Sequence, residues 1–261
     1  MTLQNKNILV TGATGGIGRA VCRQLSDSGA NLLMVARKKE NLEGLAGEIS
    51  QARPDVTCLS HSVDMTSESS IDDFTAHLAT SSTALDGLVL MPPQVAATND
   101  CLPGNDAWRT MWNDSFIGPL TLLKAALTVR RADAKFKIVI ISGISSAQVL
   151  GHYATSNVLR CAWLAQAKTL AFAYGEQGIH VNTLSLGGTL TPGYIEAVSR
   201  RAVANGVSFD QRLGEETSNV PLRKYGTPQE VAVAVESLLS RFSDHITGLN
   251  ILCDGGFTRS Y

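Results

Sequence analysis

At 261 residues the chain exceeds a typical domain yet stays within the span of a single α/β domain, and it is long enough to bury a core without disulfide or metal staples. A composition of 44% hydrophobic and 17% charged residues, with 23 Gly and 8 Pro, excludes disorder and collagen-like repeats. Twenty-two basic residues against 23 acidic ones leave a net charge of −1, so no bulk basic field serves nucleic acid or an anionic membrane.

Short β-branched runs alternate with longer helical patterns along the chain. Strands are predicted at residues 7–11, 31–36, 56–59, 87–90, 136–141, 179–184 and 249–252, with helices near 17–28, 39–52, 67–80, 106–131, 152–175 and 228–240. This alternation predicts an α/β fold: a single-domain doubly wound (Rossmann-type) parallel sheet of about seven strands, helices on both faces, over residues 1–261. Ligands of such a sheet sit beyond the carboxyl ends of the strands, where strand order reverses. Residues 193–222 interrupt the alternation with a polar, weakly helical insert, read as a lid whose hinges are Gly193, Gly206 and Gly214. Ile195, Val198, Val207 and Phe209 would give that lid an apolar underside. The five scattered cysteines (Cys22, Cys58, Cys101, Cys161, Cys253) form no C-x-x-C pair, which points to reduced thiols in a cytoplasm and to no metal site. The most apolar long stretch, 162–174, is too short to span a bilayer.

The first strand runs into Thr11-Gly12-Ala13-Thr14-Gly15-Gly16-Ile17-Gly18, which opens a helix. Glycines at such a junction let the backbone turn tightly and approach a pyrophosphate lying on the helix N-terminus. The second strand ends in Ala36 and continues Arg37-Lys38-Lys39. An acid at position 36 would accept ribose hydroxyls and repel a 2′-phosphate, whereas a small residue followed by cations suits that phosphate. Three cations at a helix start also oppose the helix dipole, which a bound anion would offset. Asp64, followed by Met65, comes after the third strand and reads either as an adenine contact or as an N-cap or turn acid before Thr66-Ser67.

With Asp64, Asp86, Val181-Asn182, Thr191-Pro192 and the tail 226–256, this glycine loop resembles the short-chain dehydrogenase/reductase family over nearly the whole chain. The resemblance implies cofactor contacts from Gly12, Thr14, Gly16, Ile17, Gly18, Asp64, Met65 and Thr191, with Arg37 and Lys38 selecting NADP(H), NADPH being favoured over NADH. It also implies a homodimer or homotetramer acting on a small-molecule or thioester substrate.

The active-site motifs depart from the family. Its Asn-Asn-Ala-Gly is here Leu90-Met91-Pro92-Pro93, and the prolines stiffen the loop and remove donors. Tyr153-Ala-Thr-Ser-Asn157 looks like a Tyr-x-x-x-Lys motif without its lysine, but counting back from Asn182 in the family frame puts the lysine at Arg160. The family tyrosine then falls on Ser156, its serine on Gly143 and its asparagine on Ser115. Tyr153 precedes Arg160 by seven residues, similar to the Tyr-x6-Lys of enoyl-thioester reductases, while the Ser-x-x-x-basic pair resembles dienoyl-thioester reductases. Residues 153, 156 and 160 share one helical stripe, so Tyr153, Ser156, Arg160 and Ser115 are the catalytic candidates, and Arg160 also contacts the cofactor's ribose. Asn157 is dispensable in this register. His152 and the serines 142, 145 and 146 are weaker candidates, and Trp108 and Trp112 read as core or interface residues.

A free phenol is protonated at neutral pH and arginine does not give up its proton, so the remaining chemistry favours reduction of a carbonyl or activated C=C. The alternative is a catalytically impaired nucleotide-binding paralogue that acts as partner subunit of an active reductase.

Overall fold

The computed structural model describes residues 3–260. Seven strands form one parallel sheet in the order β3-β2-β1-β4-β5-β6-β7. They are β1 (Asn7–Thr11), β2 (Asn31–Ala36), β3 (Cys58–Ser62), β4 (Gly87–Leu90), β5 (Phe136–Gly143), β6 (Ile179–Leu186) and β7 (Asn250–Cys253). The crossovers carry α1 (Gly16–Asp27), α2 (Lys39–Ala52), α3 (Glu68–Thr80), α4 (Asn105–Trp112), α5 (Gly118–Thr128), α6 (Ala154–Tyr174), α7 (Pro192–Ala204), α8 (Phe209–Glu216) and α9 (Pro228–Leu239). The chain reverses direction across the sheet between β1 and β4, so the crevice beyond their carboxyl ends is the expected ligand position.

Strand alternation sorts the core into two layers. Ile8, Val10, Leu32 and Met34 pack with Val21, Leu25, Leu45, Val235 and Leu238 of α1, α2 and α9. Leu9, Leu33, Val35 and Ile138 pack on the other face with Phe74, Leu122, Trp163 and Leu170 of α3, α5 and α6. The central strands β1, β2 and β4 are thus apolar in both directions, which explains their continuous hydrophobic runs in the sequence.

Three sequence expectations need correction. The third strand lies at Cys58–Ser62 rather than 56–59. It is an edge strand paired only with β2, from Leu32↔Cys58 to Ala36↔Ser62, so it tolerates exposed Leu59, Ser60 and Ser62. The helix expected over 106–131 is broken: α4 passes through a π-helical turn, Asn113–Ile117, into α5. Pro119 lacks the N–H that would bond the carbonyl of Ser115 four residues back, and that freed carbonyl accepts the Trp163 indole N–H at 2.9 Å. The insert is more ordered than its composition suggested, because α7 and α8 are locked together. Arg201 pairs with Glu216 through Nε and Nη2 at 2.7 and 3.0 Å, and Arg212 Nε joins at 2.9 Å. Gly193 and Gly214 lie inside these helices, Val198 is buried, and only Gly206 (φ +66°) forms a turn between them.

At the opposite edge from the crevice, Asp86 ties the amino ends of β1 and β4 to the start of β5. Its carboxylate, 2% exposed, accepts from Arg131 at 2.9 and 3.0 Å, Asn7 N–H at 2.9 Å and Lys6 at 3.2 Å. Burial alone would raise its pKa, but the Arg131 guanidinium, the Asn7 N–H and the Lys6 ammonium outweigh burial and hold it below the ordinary carboxylate value. The stabilisation is therefore complete above the unfolded value near pH 4 and lost as pH falls through the depressed native one. Asp86→Asn is expected to cost about 1.5–3 kcal/mol at neutral pH and to flatten the acid limb of stability, read by urea unfolding between pH 2 and 7; an unchanged acid limb would contradict this.

Candidate active site

The crevice is built first by backbone. Gly12 takes φ +61°, and its carbonyl receives the Gly15 N–H at 3.0 Å, which turns the chain from β1 into α1. A Cβ at Gly18 would strike the Gly12 carbonyl and lie 2.9 Å from Ala13, so this glycine lets helix and loop close on each other. α1 begins without an acid in its first turn and without a side-chain cap. Among the described residues its first N–H groups, around Gly16, Ile17 and Gly18, thus have no side-chain acceptor at the cap, beside half-buried Thr14. Buried Thr11 Oγ1 takes the Met91 N–H at 2.7 Å and joins this loop to the one after β4, where Pro92 and Pro93 offer no donors.

At the end of β2, Ala36 is buried while Arg37 and Lys38 are exposed. Among the described residues neither cation is paired with a carboxylate; Lys39 instead reaches Glu43 at 3.7 Å. Asp64 forms the turn that is one of the two roles its sequence position allows: Oδ1 accepts from Thr66 N–H and Oγ1 at 3.0 and 2.8 Å. Ser67, not Asp64, caps α3. The Met65 carbonyl meets Gly118, where a side chain would collide with it, so the start of α5 rests on this loop. Thr191 caps α7, accepting the Tyr194 N–H at 3.3 Å. A Cβ on Gly16 would lie 2.9 Å from both Thr191 and Pro192, so the insert begins directly over the glycine loop.

The residues after β5 supply the polar chemistry. Arg160, on the second turn of α6, donates from Nη1 to Ser145 Oγ at 2.9 Å, and its guanidinium lies 5.5 Å from the centroid of the Tyr153 ring. Tyr153 and Arg160 are therefore together, as their helical spacing anticipated. Burial draws the guanidinium below its ordinary pKa, with nearby Tyr153 acting in the opposite direction. Ser156 stands one turn before Arg160, 2% exposed, its Oγ without a partner among the described residues. Ser115 lies within the π-helical turn and is held to α6 through its carbonyl and Trp163. Ser146 is occupied with Ser185 at 2.9 Å. Asn157 is engaged by the loop before α6. Its amide binds both the N–H and the carbonyl of Leu150, at 3.3 and 3.2 Å, fixing the segment that delivers Tyr153. The His152 ring lies tilted against Tyr153 with centroids 4.4 Å apart. Trp112 packs edge-on against Phe116 at 5.0 Å and belongs to an aromatic row ending in Trp163.

Sequence reasoning missed Ser145 as the acceptor for Arg160 and the π-helical turn at Ser115. The Gly118-Pro119 pair inside a helical window was the available signal for the turn.

Residues 12–258 match the family model described as Enoyl-(Acyl carrier protein) reductase. The chain belongs to that family, among the short-chain dehydrogenase/reductases. This short-chain dehydrogenase/reductase is 29% identical over 260 residues to Oxidoreductase UcpA of Salmonella typhimurium, covering 98% of this chain and 95% of that protein. It is 22% identical over 259 residues to the NADPH-dependent reductase BacG of Bacillus subtilis, covering 99% and 100%. Its fold matches L-sorbose reductase from Gluconobacter frateurii, solved with NADPH and L-sorbose, at a TM-score of 0.92 and 23% identity, covering 100% and 99%. No helix among the described residues is long and apolar enough to cross a membrane.

Proposed function

We propose that the protein is an NADPH-dependent reductase of a carbonyl or activated C=C in a small or thioester-linked substrate. The observation that carries this reading is the half-buried Arg160 guanidinium held between Ser145 and the Tyr153 ring beside the crevice. The NADPH-dependent relative supports the cofactor.

The residues present fit that cofactor. The uncapped start of α1 offers N–H donors to a pyrophosphate, and unpaired Arg37 and Lys38 suit a 2′-phosphate. Asp64 keeps Oδ2 outside its turn hydrogen bonds for an adenine contact, with Met65 beside it. Thr191 lies over the glycine loop, a position that suits a further contact to the cofactor. The bound nicotinamide would supply hydride; the chain's own side chains bind, orient and protonate. Arg160 holds the nearby ribose and contributes positive charge without exchanging its proton. Tyr153 donates its phenolic proton to the anion that develops on the substrate. Ser115 and Ser156 complete the tetrad-equivalent positions, with the hydroxyl lost at Gly143 replaced at Ser145.

Turnover of NADPH with a panel of ketones and enones, alongside a binding titration, tests this. Oxidation of NADPH by at least one class is expected; binding without any turnover would favour the partner-subunit alternative.

The insert 193–222 is read as a substrate lid that swings as one unit, because Glu216 joins α7 to α8. Hydrogen exchange in both helices is expected to slow together when NADPH and substrate bind. Equal exchange with and without ligands would rule out a lid.

A further inference from the structure

A partly buried guanidinium needs acceptors for its N–H groups and a negative charge to offset lost hydration. Other arginines of this protein meet both needs internally: Arg131 pairs with Asp86 and Arg201 with Glu216, each through two N–H groups. Arg160 does not. It donates once, to the neutral Ser145 hydroxyl, and its other close neighbour is the Tyr153 ring. Of the five N–H donors of a guanidinium, four are left without a protein acceptor among the described residues, and no carboxylate is paired with it.

Gly143 leaves room for this placement. Its backbone, φ −141° and ψ 159°, is extended and open to any residue, so conformation does not require glycine. A Cβ there would lie 2.5 Å from Arg160 Cζ and 3.0 Å from Nε. The guanidinium occupies the volume where a side chain at 143 would begin. A side chain at 143 would therefore push the flexible end of Arg160 out of this position, which glycine leaves open. Ser156, one turn earlier on α6, adds a buried hydroxyl without a partner.

We propose that Arg160, seated on Gly143, binds a carboxylate of the substrate, so that the enzyme reduces an anionic carbonyl or enone compound whose carboxylate lies close to the reducible bond. This rests on the reductase reading above. A ribose hydroxyl takes up a hydrogen bond of Arg160 but brings no charge, so the guanidinium keeps donors and an unoffset charge for a carboxylate beside the ribose, which its planar fork can hold with two parallel bonds.

The test measures binding at saturating NADP⁺, so that neither turnover nor weakened cofactor affinity enters. The probes are 2-oxobutanoate and crotonate, each against its neutral methyl ester. The intact protein is expected to bind at least one acid about tenfold more tightly than its ester. Arg160→Met is expected to bring that ratio near one, and Arg160→Lys to retain part of it. Gly143→Ser, which restores a hydroxyl, is expected to abolish the ratio by displacing the guanidinium, with thermal unfolding confirming that each variant is folded. Acid and ester bound equally, or not at all, by the intact protein with NADP⁺ in place would overturn this inference alone. An unchanged ratio in folded Arg160→Met would overturn it too. Failure of NADP⁺ to bind would overturn the reductase reading and this inference with it.

Discussion

Replacing Tyr153 by phenylalanine is expected to cut NADPH-dependent reduction by about 10²–10⁴, the usual worth of a positioned acid, while leaving NADPH affinity intact. The substitution isolates one hydroxyl. Tyr153 caps α6, its N–H bonds the Leu150 carbonyl at 3.0 Å, and the next residue's N–H bonds Thr98 at 3.1 Å. None of these contacts involves the phenol. The ring that lies against Arg160 is kept by phenylalanine, so the guanidinium keeps its seat. A loss confined to kcat would assign the proton to Tyr153. Full activity in the variant would move the acid to another hydroxyl, with Ser145 the nearest to Arg160.

The second large effect separates the two registers that the sequence allows for α6. Arg160→Ala is expected to weaken NADPH binding about tenfold or more, by removing charge-assisted hydrogen bonds to the ribose. Asn157→Ala is expected to leave that affinity unchanged. Its amide is spent on both backbone groups of Leu150, so its loss should cost about 1 kcal/mol of stability and loosen the loop before Tyr153. Parallel NADPH titrations and thermal unfolding of the two variants report both quantities. The opposite pattern, with Asn157→Ala abolishing binding and Arg160→Ala harmless, would restore the Tyr-x-x-x-Asn register.

Much of the fold was legible because local pattern and global position agree. β1, β2 and β4 are buried on both faces, so their apolar runs mark their full length. β3 broke that agreement: at an edge, pairing with β2 alone, it proceeds through Ser60-His61-Ser62 with no hydrophobic signal. The π-helical turn was hidden because the residues on either side of it both read as helix, with only Gly118-Pro119 to mark the change. The Tyr153–Arg160 contact could be read from helical spacing, since both sit on one element. The Gly143–Arg160 contact could not. It depends on how closely α6 packs on the end of β5, so glycine at 143 looked like a lost serine rather than room for a guanidinium. The same limit applies to Glu216, whose pairing with Arg201 ties α8 to α7 and turns a polar stretch into a locked helical pair.

The most direct measurement is a calorimetric titration of NADPH and NADH into the intact protein and into Arg37→Ala. The unpaired cations after buried Ala36 lead us to expect NADPH to bind at least about tenfold more tightly than NADH. Arg37→Ala should erase most of that preference, the loss of a charge-assisted pair worth about 1.5–3 kcal/mol. Equal affinities for the two nucleotides in the intact protein, or no binding of either, would contradict it.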